Sequence, residues 1–200
     1  MRSVISLACC LVAISSVLFT GKSGASTIQK QEKYSALAHL PSGAGRAMVG
    51  AGATANLDLY INGYTSDQEA RRLAGILVES GPDALLKQLE KAESIGKVRL
   101  SGRVGFYDLK LIRSHRTENG RRIYGVGDRP VGFLEGYYGG PSRDYEFGIL
   151  QLDLKQNSKG REEGTGTLIY AAKIKLLDGK SIDVETYSNS GINLLGVRKL

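Results

Sequence analysis

The run Gly148-Ile149-Leu150-Gln151-Leu152-Asp153-Leu154-Lys155 constrains this chain more than any other, because apolar and polar residues alternate along it with a period of two. Leu150, Leu152 and Leu154 fall on one side and Gln151, Asp153 and Lys155 on the other, as a strand with one dry and one wet face requires. Similar alternations recur from Val98 onward. They are broken by turn residues such as Thr117-Glu118-Asn119-Gly120, Asp128-Arg129-Pro130 and Gly139-Gly140-Pro141. The runs 103–113, 121–127, 131–134, 146–155, 166–177, 181–187 and 192–198 therefore read as strands of an antiparallel sheet. At Leu177-Asp178-Gly179 a three-residue loop keeps wet and dry faces in step, with Ile174 opposite Ile182 and Lys173 opposite Asp183.

Ahead of this region, Leu57, Leu59 and Ile61 alternate with Asp58, Tyr60 and Asn62, the pattern of a half-buried strand. Ser66-Asp67-Gln68-Glu69 reads as a capping box, so a helix is expected from about Asp67. Ala70, Leu73, Ala74 and Leu77 give that helix one apolar stripe. Gly81 suits its end, Pro82 suits the first turn of a second helix, and Leu85, Leu86 and Leu89 form the second apolar side. The expected fold is α+β: a strongly curled antiparallel sheet or partial barrel of about seven or eight strands, with an early two-helix hairpin.

Met1-Arg2, the apolar run Val4–Phe19 and the small residues of Ser23-Gly24-Ala25 make residues 1–25 a secretory signal peptide, which points to a secreted or periplasmic protein. Cys9 and Cys10 both lie in that leader, so the mature chain has no thiol for a disulfide, a metal or catalysis. Residues 26–55 carry Gly43-Ala44-Gly45 and Gly50-Ala51-Gly52, without a flanking strand and helix that would make a phosphate loop of them. They read as a flexible arm or linker before a single domain over 56–200.

The chain carries +7, and removal of Arg2 and Lys22 leaves 25 basic against 20 acidic residues, +5. Residues 97–129 hold nine basic side chains against Asp108, Glu118 and Asp128, a local +6, and the rest of the mature chain sums to −1. This concentration of charge predicts an anionic partner: acidic polysaccharide, lipid headgroups or an envelope protein, with nucleic acid an awkward partner for an exported chain. The expected contact residues are Arg113, Arg116, Arg121, Arg122 and Arg129, joined by Tyr137, Tyr138 and Arg143 of the tyrosine–glycine loop, where tyrosine supplies flat area and arginine directional donors.

Catalytic signals are weak. Ser114 and His115 are neighbours and would point to opposite faces of a strand, His39 has no partner histidine, and no spacing suits a metal or cofactor. Glu135, Asp144 and Glu146 bracket Gly136–Gly140 and offer the alternative of a carboxylate-based hydrolase; a small-ligand carrier inside a curled sheet is a further alternative.

Gly81-Pro82-Asp83-Ala84-Leu85-Leu86, Arg121-Arg122-Ile123, Asp128-Arg129-Pro130, Tyr145-Glu146-Phe147, Ala172-Lys173-Ile174 and Glu185-Thr186-Tyr187 resemble motifs of a family of small, predicted-exported bacterial proteins with no assigned activity. The resemblance covers about residues 55–200, with Tyr64 and Leu134 standing where the family carries tryptophan. It implies export and the domain limits, and no catalytic residue.

Overall fold

The computed structural model describes residues 31–39, 54–101, 105–132, 144–177, 181–187 and 191–200. Its elements run β1 (Glu32–His39), β2 (Thr54–Ile61), α1 (Asp67–Ser80), α2 (Pro82–Lys91), β3 (Gly96–Leu100), β4 (Tyr107–Leu109), β5 (Leu111–Thr117), β6 (Gly120–Val126), β7 (Phe147–Gln156), β8 (Glu162–Leu177), β9 (Ser181–Thr186) and β10 (Ile192–Lys199). All strand pairs are antiparallel, in the order β4-β3-β2-β1-β10-β8-β7-β6-β5, with β9 paired to the far half of β8.

Only Lys110 separates β4 from β5, and there one strand changes partners. The Ile95 amide donates to Leu109 O on one side (3.0 Å), and the Lys110 amide donates to Val126 O on the other (2.9 Å). The path thus returns on itself, and the sheet is a nearly closed barrel. With β4 and β5 sharing a stave and β9 outside the ring, eight staves surround an interior narrow enough for side chains to fill. Leu57, Leu59 and Ile61, then Leu150, Leu152 and Leu154, then Ile192, Leu194 and Val197 fill it, as their alternation demands.

The helices lie on the outer wall. Leu73, Leu77, Leu85 and Leu89 pack against Phe147, Ile149, Ile169, Ala172 and Ile174 of β7 and β8, so these strands are buried on both faces. The Ser66 hydroxyl accepts from the Glu69 amide at 3.2 Å, as the capping box predicts, but the Glu69 carboxylate turns to Arg72 (2.7 Å). Gly81, at φ 83°, ends α1 and opens α2, and Pro82 occupies the first turn of α2.

Several expectations change. Ten strands are present among the described residues, not seven or eight. Glu32–His39, assigned to a flexible arm, is a strand joining β2 to β10, with Tyr34 and Ala38 each 1% exposed. Its inward residues beyond Tyr34 are alanines, too small to mark the period strongly, yet this strand fits where the barrel interior is already full. Gly96–Leu100 is a further strand, too short to stand out from the leucine-rich helix before it. Of 131–134, residues 131 and 132 are outside any strand and 133–134 lie outside the described residues. The β8–β9 register has the expected parity but is displaced by two: Ile174 faces Val184 and Lys173 faces Glu185, because Leu177 pairs with Ser181.

Candidate functional site

Inward-facing positions at the β5–β6 and β7–β8 turns carry polar groups where the leucines end. Arg121 stands two residues before Ile123, Glu162 ends the inward row of β8, Lys199 that of β10, and Glu32 that of β1. Tyr34 and Tyr64 complete the set. Arg121 is its centre: Nε donates to Glu162 Oε1 (2.6 Å), Nη1 to the Tyr64 hydroxyl (3.0 Å), and Nη2 reaches Glu32 Oε2 (2.9 Å), Glu162 Oε2 (2.8 Å) and the Tyr34 hydroxyl (2.5 Å). Tyr64 donates to Glu32 (2.6 Å), and Lys199 Nζ lies 2.9 Å from Glu32 and 3.2 Å from Glu162.

Two cations balance two carboxylates, so the cluster is neutral and its polar atoms are matched. Burial pushes the Glu32 carboxyl up, but the hydrogen bonds from Tyr64 and Lys199 and the charge of Arg121 outweigh it and bring it down to about 2. Glu162 is opposed by burial and likewise held low, by Arg121 first. Burial raises both tyrosines well above their ordinary range. Both carboxylates are therefore ionised at neutral pH and both phenols are protonated. A carboxyl acting as general acid would have to keep its proton near neutrality, and neither Glu32 nor Glu162 does.

Around the network the barrel end opens into a cleft of about 850 Å³, bounded by Glu32, Arg121, Arg161, Glu162, Arg198 and Lys199. A smaller hollow of about 310 Å³ lies alongside, between Arg116 and Asn119 of one hairpin and Lys155 of the next. Arg116, Lys155, Arg161 and Arg198 are exposed on this rim. None of the four has an ion pair among the described residues. Glu163 sits between Lys155 and Arg198 in register and accepts from Asn157 Nδ2 at 2.9 Å.

The five expected contact residues that the structure describes do not form one patch. Arg113 is tied to Asp67 (2.6 Å) and to Thr65 O, Arg122 pairs with Asp153, and Arg129 faces Asp108 at 3.6 Å. Arg121 is interior, Arg116 is on the rim, and Tyr137, Tyr138 and Arg143 lie outside the described residues. Much of the local +6 is thus answered by carboxylates from elsewhere in the chain, Asp58 beside Arg99 among them, while Lys110 and Arg129 pair inside the segment with Asp128 and Asp108. Glu32, Tyr34, Tyr64, Glu162 and Lys199 escaped the sequence reading: Glu32, Glu162 and Lys199 leave only a single polar residue at a strand end, and the two tyrosines sit inside β1 and in the segment between β2 and α1.

Of the proposed acid–base trio, Glu135 lies outside the described residues and Asp144 is exposed. Glu146 is pushed up by burial and by Asp83, Glu90 and Asp144 near it, with Lys173 opposing. No group of three or more metal-ligating side chains occurs among the described residues. A ligand carried inside the barrel would have to displace the leucines and tyrosines that fill it. Comparison with family models, curated proteins and solved structures gives no match for this chain.

Proposed function

We propose that the chain is an exported, non-enzymatic binding module that receives an acidic polysaccharide at the open end of its barrel. The observation that carries this reading is the division of labour among the charges there. Arg121 and Lys199 are consumed by Glu32 and Glu162, whereas Arg116, Lys155, Arg161 and Arg198 stand around the cleft without ion-pair partners among the described residues. Guanidinium groups suit carboxylate or sulfate because their paired donors match two oxygens at once. The internal network adds no attraction of its own, but it holds the rim strands in place. The leader supports export, and the matched, ionised carboxylates of the mouth favour binding over hydrolysis.

Retention on a sulfated polysaccharide resin across a salt series tests this. Wild type is expected to elute well after Arg116→Glu/Arg161→Glu, while Arg122→Glu, whose wild-type arginine is already paired with Asp153, elutes close to wild type. Co-elution of wild type and the double variant at low salt overturns the reading.

A further inference from the structure

The helices shield only part of the barrel. They cover β7, β8 and β9, while among the described residues no helix packs on the outer side of β4, β3, β2 and β1. In register across that wall, Lys97 pairs with Tyr60 and Tyr60 with Lys33, and the next row brings Arg99 beside Asp58. Phe106, just before β4, stands 49% exposed over the same rows. Its ring meets Tyr60 edge-on at 6.4 Å, with Lys97 Nζ 5.6 Å and the Arg99 guanidinium 5.9 Å from its centre. Lys33 Nζ lies 5.3 Å from the Tyr60 ring.

Neither Lys33 nor Lys97 has an ion pair among the described residues, so their charges are held over aromatic faces instead. The two acids of the wall are already matched: Asp58 faces Arg99 at 3.5 Å and Asp108 faces Arg129 at 3.6 Å. Leu37 and Leu195, cross-strand partners on the same outer side, are 39% and 46% exposed. Single exposed apolar residues are ordinary; an exposed phenylalanine whose ring carries the unpaired Lys97, beside a tyrosine that carries the unpaired Lys33, is not.

We infer that this wall docks on an anionic lipid surface, with Phe106 entering the headgroup layer and Lys33 and Lys97 meeting the lipid charges. The wall is the outside of a barrel and therefore convex, which leaves no trough for a polymer chain but lets a protruding ring reach a plane. Lysine stems lying along aromatic rings can keep the ammonium groups at headgroup level while the ring goes deeper. The inference does not rest on the reading of the barrel mouth, and its residues are different ones.

Because the chain has no tryptophan, Phe106→Trp installs a single reporter. Protein purified in the form the cell delivers is mixed with phosphatidylcholine vesicles, with and without phosphatidylglycerol. The expected result is a blue shift of the emission with phosphatidylglycerol vesicles only. In co-sedimentation, Lys33→Glu/Lys97→Glu should bind these vesicles at least about thirtyfold more weakly, since each basic residue near such a surface contributes roughly fivefold. Phe106→Ala should also bind more weakly, and Arg116→Glu/Arg161→Glu should bind like wild type. All variants share one leader or its removal, so the leader does not produce the differences. The inference is overturned if the reporter does not shift, if the lysine variant sediments like wild type, or if a soluble sulfated polysaccharide gives the same shift as the vesicles. Loss of binding in the mouth variant alone would move lipid contact to the mouth and overturn it equally.

Discussion

Arg121 and Glu162 stand 41 residues apart in sequence and meet through two near-parallel hydrogen bonds inside the barrel end, 2.6 Å from Nε and 2.8 Å from Nη2. The arginine also reaches Glu32, so one guanidinium links β6, β8 and β1. The side chains of Arg121 and Glu162 are 19% and 16% exposed, which makes the loss of either partner costly.

Arg121→Met should destabilise the protein by roughly 3–5 kcal/mol, because Glu32 and Glu162 are left ionised with only Lys199 to answer them. Urea denaturation measures this. Arg121→Met/Glu162→Met should recover part of the loss, whereas simple additivity would show the two groups to be independent.

Acid should weaken the same end of the barrel. The folded-state value of Glu32 is about 2 against its ordinary 4.5, so its contribution is complete above about pH 4.5 and disappears as pH falls toward 2. The shift corresponds to on the order of 3 kcal/mol. Wild type and Glu32→Gln should therefore differ in urea midpoint at neutral pH and converge toward pH 2; a gap independent of pH would contradict the assignment.

Tyr107 closes another part of the interior, donating to Arg129 O at 2.6 Å and accepting from the Gly148 amide at 3.1 Å. Its hydroxyl occupies the space that side chains at Gly127 and Gly148 would need. Gly148→Ala should cost about 1–3 kcal/mol by overpacking. Combining it with Tyr107→Phe should cost less than the sum of the two single changes, as thermal melts of the set would reveal.

A chain beginning at residue 56 should fail to give a cooperative melt, since it lacks the strand that bridges β2 and β10. One beginning at Gln31 should fold. Circular dichroism distinguishes them.

Local signals carried the parts of the fold that depend on neighbours in sequence. Ser66 caps α1, Pro82 opens α2, and Leu150, Leu152 and Leu154 face inward as their spacing dictates. β1 was illegible because Ala36 and Ala38 mark a dry face faintly, although packing inside a filled barrel demands small residues there. The site was harder still. Arg121 and Arg122 are adjacent and look alike in sequence, yet strand alternation sends one to the interior network and the other out to Asp153. Charge counted along the chain could not anticipate this, because each partner arrives from a different strand.

The bond from Lys199 to Glu32 spans 167 positions, and the strands that bear them are neighbours in the wall. A nascent chain that has delivered everything through β8 still has an open ring, with β1 and β8 as raw edges awaiting the same missing stave. Closure is thus deferred to the final strand, and contacts of such long range make that step slow. A polypeptide built this way cannot complete its ring before β10 has emerged.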